Sequence, residues 1–137
     1  MERYRTDHRK VYLMSFKKDG VGFIKPGVTD YKDVLSRIEA NRLYEPQEHP
    51  DRVVWVDYFD SVYPIRSITV KGKELALKIE QELLEALGTR DAYFDVNFSG
   101  ITEMRKYTAQ RYAIAIKIIE KYRVPYVNWK KVLHSNW

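Results

Sequence analysis

Hydrophobic and polar positions change rhythm several times along this chain, and each change marks an element. "KVYLMSF" (10–16) is a strand-length run of apolar and aromatic residues, "KKDG" follows with Asp-Gly turn chemistry, and "VGFIK" (21–25) reads as the return strand of a hairpin. "PGVTD" is a second break. A helix is predicted from about 31 to 43, capped by Thr29 or Asp30, with Tyr31, Val34, Leu35 and Ile38 on one face. Two prolines make 44–51 a loop. "RVVWVDYFDSVYPI" (52–65) is rich in β-branched and aromatic residues and reads as one long or bent strand ending at Pro64. A helix over 73–87 is closed by Gly88. "AYFDVNF" (92–98) is a short strand or loop, and "SG" breaks it. Thr102 can cap a long C-terminal helix that runs to about 122, before Val124-Pro125. The order implies an α+β layer fold, a small, mostly antiparallel sheet covered by helices.

The helix over 73–87 contains an anomaly. At about 100° per residue, Leu75, Ala76, Leu77, Ile79, Leu83, Leu84, Ala86 and Leu87 share one broad arc, and Lys78, Gln81, Glu82 and Glu85 fill the other side. Glu80 falls inside the apolar arc. A buried, unpaired carboxylate costs several kcal/mol or shifts its pKa, so it needs a partner. Glu80 is structural if it pairs with a nearby Arg or if its side chain reaches water at the edge of the wide arc; otherwise its partner is a divalent metal ion. Mg²⁺ is often held by one or two carboxylates plus water and a substrate phosphate.

Composition narrows the classes. The 137 residues are one domain's worth, with a core at about 10–107 and a basic helix and tail over 101–137. No cysteine is present, which excludes disulfides and thiolate zinc sites and suits a cytoplasmic setting. The charged N-terminus lacks the apolar region of a signal peptide, and no apolar run reaches membrane-spanning length. Net charge is +5 and unevenly placed: +4 over residues 1–25, −5 over 26–100 and +6 over 101–137. Basic ends around an acidic middle suit contact with a polyanion such as nucleic acid.

A second constellation gathers around the predicted hairpin. Tyr12 lies on the first strand and Lys25 closes the second. Gly27 permits close backbone approach, and Thr29 at a helix start would favour phosphate. Arg37 flanks the apolar face of the following helix. Farther on, Arg105, Lys106, Arg111, Lys117, Lys121 and Arg123 decorate the last helix, interleaved with tyrosines. Lys10, Thr29, Arg105, Lys106 and Arg111 are the candidate nucleic-acid contacts. Ala113, Ile114, Ile116, Ile118 and Ile119 surround too much of the last helix for one buried stripe, which points to a second contact surface, as in a homodimer. Trp129 and Trp137 could seal it or stack on bases. The three histidines make no metal-ligand spacing, and no P-loop, dinucleotide fingerprint or nucleophile elbow is present.

Together, "KVYL" (10–13), "KPGVT" (25–29), Arg37 in "SRIEANRL", Glu80 in "ALKIEQEL" and Asn97 in "DVNFSG" resemble the GIY-YIG nuclease superfamily, in the divergent branch common in phage proteins. "GITEMRKY" is similar to a terminal motif of that branch and makes Glu103 a residue of interest. Lys10 stands where the first glycine would be, and Lys25 and Pro26 replace the tyrosine and isoleucine of the second motif. The resemblance implies a three-stranded, mostly antiparallel sheet flanked by helices and a stand-alone, metal-dependent DNA endonuclease acting on double-stranded DNA. Glu80 would hold Mg²⁺ or Mn²⁺. Tyr12 would orient the attacking water or accept its proton, which a free tyrosine with a pKa near 10 does only beside cations. Lys25 and Arg37 would supply those cations and stabilise charge on the phosphate, and Asn97 would orient substrate. Two other functions compete with this one. The chain could be a nucleic-acid-binding module on the same fold that has lost catalysis, or a phage protein that binds a host protein.

Overall fold

The computed structural model describes residues 1–123. The tail, with Trp129 and Trp137, lies outside the described residues. The chain forms a mixed α+β fold: a four-stranded antiparallel sheet in the order β3-β1-β2-β4, with helices on both faces. β1 (His8–Lys18) and β2 (Val21–Thr29) are the hairpin, joined by Asp19 and Gly20. Both turn residues have positive φ, 51° and 82°, as a two-residue turn matching strand twist requires. β2 runs straight through "PGVT", so the expected break at 26–30 is absent. Pro26 is tolerated there because β4 (Arg105–Lys106) pairs only with Phe23 and Ile24, and the rest of β2 is a sheet edge needing no donor.

Three expectations about boundaries are corrected. The first helix, α1 (Val34–Glu48), is capped by Asp33, whose side chain accepts from the Ser36 N–H at 2.7 Å. Thr29 is the last residue of β2 and not a helix start, and α1 continues through Pro46 into the expected loop. Leu35 points out at 67% exposed, and the inward row is Val34, Ile38, Asn41 and Glu45. The single strand expected over 52–65 is a short helix, α2 (Trp55–Tyr58), followed by β3 (Ser61–Lys71). β3 passes through Pro64 because it is an edge strand and its register with β1 shifts there, pairing Leu13 with Arg66 but Met14 with Pro64. The last helix, α4 (Ala109–Lys121), starts at Thr108 rather than Thr102; a 3₁₀ turn and β4 occupy 101–106. The expected three strands are therefore three long ones plus this two-residue fourth.

The alternation of β1 sorts the interior into two layers. Val11 and Leu13 join Ile24, Ile68 and Val70 under α3 (Lys73–Leu87) and α4, which contribute Ala76, Ile79, Leu83, Ala115 and Ile119. Tyr12, Met14 and Phe16 face the other way. They join Phe23, Val34, Ile38, Trp55, Phe59, Phe98 and Met104 beneath α1, α2 and the irregular segment 92–104. The apolar stripe of α3 is narrower than the expected arc, since Leu75 and Leu77 are exposed. Ile116 and Ile118 pack against the aliphatic layer, which accounts for part of the apolar surplus on α4, while Ile114 remains 42% exposed. No helix among the described residues is long and apolar enough to cross a membrane.

Candidate active site

The strand register builds the centre of the site. Tyr12 stands opposite Gly27, and Met14 opposite Lys25, so Tyr12 and Lys25 are diagonal neighbours on the aromatic face. The Tyr12 ring crosses directly over Gly27: a Cβ there would lie 2.2 Å from the Tyr12 hydroxyl. The close approach anticipated for Gly27 is thus to a neighbouring side chain. Lys25 is 4% exposed. Its Nζ lies 3.5 Å from the Tyr12 Oη and 3.4 Å from the Pro26 carbonyl. It also sits over two rings, 5.3 Å from the Tyr12 centroid and 5.4 Å from that of Trp55. Gly100, at φ 77°, makes room for it; a Cβ on Gly100 would lie 1.9 Å from the Lys25 Cε.

Trp55 organises the next shell of contacts. Its backbone N–H donates to the Asn41 Oδ1 at 2.8 Å, which anchors the start of α2 to α1. Its indole N–H donates to the Ser99 carbonyl at 2.9 Å, and this holds the 92–104 segment against α2. The Arg37 guanidinium lies 4.7 Å from the Trp55 ring and donates to the Ser99 hydroxyl at 3.2 Å. Lys25 and Arg37 therefore share one indole. Trp55, Ser99 and Gly100 carry no local signal of a site: the first lies in a run of strand-forming residues, and the other two have only the pattern of a chain break.

Glu80 is half-buried on α3, beside the fully buried Ala76, Ile79 and Leu83. Burial pushes its pKa up, the Lys25 ammonium pulls it down, and the Glu103 carboxylate pushes it up again, with burial dominant. Glu80 is thus turned partly inward, where it feels the charge of Lys25. Glu103 comes to the same place from the 3₁₀ turn. Glu80 and Glu103 could together hold a divalent cation, which would relieve both the burial of Glu80 and the repulsion between the two carboxylates. Among the described residues no group of three or more His, Cys, Asp or Glu side chains could do so. Asn97 stands apart: its side chain is exposed, and its contribution is a carbonyl that accepts the Val53 N–H at 2.8 Å.

The candidate nucleic-acid contacts separate into two kinds. Arg105 is buried, and its guanidinium donates to the carbonyls of Gly88 (2.9 Å), Thr102 (2.7 Å) and Met104 (3.0 Å). Arg111 donates to the Leu87 carbonyl (2.9 Å) and pairs with Asp91 (2.7 Å). These two arginines satisfy the orphan carbonyls at the C-terminus of α3, where cations are favoured. They tie α3 to β4 and α4 and do not form an open cationic surface. Thr29 is buried, its hydroxyl accepting the Tyr31 N–H at 3.2 Å. Lys106 is exposed, and the Lys10 ammonium donates to the Thr69 hydroxyl at 2.9 Å.

A cleft of about 440 Å³ lies beside the end of β2, between α1 and α3. Arg37 is common to this cleft and the buried cluster. Arg3, Arg9 and Lys73 add three more cations to its walls, which Asp30, Glu45 and Glu48 also line, and Leu77 lies there one turn before Glu80. Arg3 pairs with Asp30 at 3.5 Å and lies on the Tyr31 ring, and Arg9 pairs with the largely exposed Asp7 at 3.6 Å, a contact worth little that phosphate could displace.

No protein-family model matches the chain, and it has no match among curated proteins or solved structures.

Proposed function

We propose that this protein is a metal-dependent endonuclease that hydrolyses DNA phosphodiester bonds on a GIY-YIG-like scaffold. One observation carries the reading: a tyrosine hydroxyl, a buried lysine and an arginine gather from three elements around Trp55, a half-buried carboxylate on a fourth faces the lysine's charge, and the arginine also lines an open cleft. Buried carboxylates beside like charge, in a cleft, are frequent at functional sites.

The chain's own groups have distinct tasks. The strand passes along the cleft, where Arg3, Arg9 and Lys73 neutralise flanking phosphates. Arg37, fixed on Trp55 and Ser99, binds a non-bridging oxygen of the scissile phosphate. Lys25 stabilises developing negative charge, and its burial strengthens that interaction. Tyr12, 3.5 Å from Lys25, orients the attacking water. Glu80, with Glu103 nearby, would hold a Mg²⁺ or Mn²⁺ ion, which would supply Lewis acidity at the phosphate.

The burial of Tyr12, at 1% exposed, favours a second reading, a DNA-binding module in which Lys25 and Glu80 serve as a structural ion pair. Plasmid cleavage with and without Mg²⁺ or Mn²⁺, run beside Glu80→Ala, separates the two. Metal-dependent cutting that the variant loses, with DNA affinity retained, supports the nuclease. Salt-sensitive DNA binding without cutting by either protein supports the module.

A further inference from the structure

The opposite face of the sheet carries a second site at its hairpin end, where α3 and α4 leave the strands uncovered. A slot of about 510 Å³ opens there. Tyr63 on β3 forms one wall and is 54% exposed. Tyr107, 46% exposed, and Tyr112 form the other, their rings 5.9 Å apart. Between the walls the floor is kept low by small residues. Ser15 stands opposite Tyr63 in the register, while Lys17 is flanked by Gly22 and Ser61. Gly22 is required for the second wall: a Cβ there would lie 3.3 Å from the Tyr107 Cβ, and the Gly22 carbonyl accepts the Tyr107 N–H at 2.9 Å. Lys17 is exposed and is the only charged residue among the described residues lining the slot; no carboxylate lines it.

Two exposed aromatic walls, a floor bearing hydroxyls and one cation fit a planar, hydrogen-bonding ring attached to an anion. We infer that this slot binds an unpaired base of a nucleic-acid strand, stacked between Tyr63 and Tyr107, with Lys17 on the adjoining phosphate. The inference rests on the nuclease reading for its substrate and adds a preference: DNA with an unpaired or displaced nucleotide near the cut. Gly22 and Lys25 are three residues apart on β2, about 10 Å along the strand. The slot and the catalytic cluster lie on opposite faces, so one strand reaches both only by passing round the sheet edge.

The test is anisotropy of a short, labelled oligothymidylate and of a labelled blunt duplex, titrated with the full chain in chelator. Tyr63→Ala and Tyr107→Ala should each weaken oligothymidylate binding by roughly 5- to 150-fold, the loss of one base stack. Duplex binding should stay near wild type, and Tyr63→Phe should keep full affinity. Lys17→Ala should lower the salt dependence by about one phosphate contact. Tyr93→Ala, at a residue 71% exposed outside the slot, serves as the control and should change nothing. Unchanged oligothymidylate affinity in Tyr63→Ala overturns the inference. So does failure of the wild type to bind the oligonucleotide, or competition by thymidine monophosphate at equal concentration, which would make the slot a free-nucleotide site. Because chelator prevents cutting, the two proposals fail separately: plasmid cleavage with normal Tyr63→Ala binding sinks the slot alone, and stacking without cleavage sinks the nuclease alone.

Discussion

The two faces of the sheet are built from different chemistry. Under α3 and α4 the interior is almost wholly aliphatic, and Arg105, buried at its edge, is held by backbone carbonyls. Under α1 and α2 it is aromatic, with Phe16, Phe23, Phe59, Phe94 and Phe98 in edge-on or tilted contact and Lys25 and Arg37 against Trp55. An aliphatic layer gives a buried cation nothing. An aromatic layer offers ring faces of negative potential together with the backbone and hydroxyl acceptors of the segment that covers them. The charged groups gather on the aromatic side for that reason, and Glu80 reaches them from the flank of a helix that otherwise serves the aliphatic side.

The comparison breaks most visibly on the aliphatic face. Leu83 is fully buried there, and Leu83→Ala should cost about 2–5 kcal/mol of stability by denaturant unfolding. The folded fraction should still cut DNA at the wild-type rate. A smaller loss with a large drop in cutting would put the aliphatic layer inside the catalytic apparatus.

Gly100→Ala probes the aromatic face. The left-handed backbone alone should cost about 1–3 kcal/mol, and the new methyl group must displace the Lys25 side chain. We expect cleavage to fall by more than the stability loss explains, with duplex affinity largely kept. Equal cleavage by folded mutant and wild type would remove Lys25 from the mechanism.

The smallest effect sharpens the role of Glu80. Its pKa in the folded state lies above the ordinary 4.5, so the folded protein binds more protons than the unfolded chain as pH rises through the interval between the two values. Ionised Glu80 therefore lowers stability above that interval. In chelator, Glu80→Gln should melt slightly higher than wild type at neutral pH, and the gap should close below about pH 4.5, where the carboxyl is protonated in both states. A variant that melts lower at neutral pH would mean that the Lys25 contact outweighs burial and that Glu80 is structural.

Much of this was legible in the chain. The Asp19-Gly20 turn, helix α3 with its Gly88 stop, and the inward position of Glu80 follow from local periodicity and turn chemistry, which depend on neighbours in sequence. Tyr12 and Lys25 were legible as candidates for the same reason, since a hairpin fixes which residues stand opposite each other. The structural partners of Asn97, Arg105 and Arg111 were not legible, because a polar or basic residue reads the same whether it meets substrate or a helix end. Their partners are far off in sequence, the Gly88 carbonyl 17 residues from Arg105, the Leu87 carbonyl 24 from Arg111 and the Val53 N–H 44 from Asn97.

The sequence by itself determined the α+β class, the hairpin and the carboxylate that turns toward the core, because each is set within one or two turns of chain. Only the tertiary structure decided that Pro26 and Pro64 sit inside strands, since the missing donor is harmless only at a sheet edge or register shift. It also decided that α4 begins at Thr108 and not Thr102. Both threonines can cap a helix, and the choice fell to β4 pairing with β2 and to Arg105 anchoring the turn between them. The Trp55 platform was decided in the same way, by an indole that bonds Ser99 and carries two cations from distant elements.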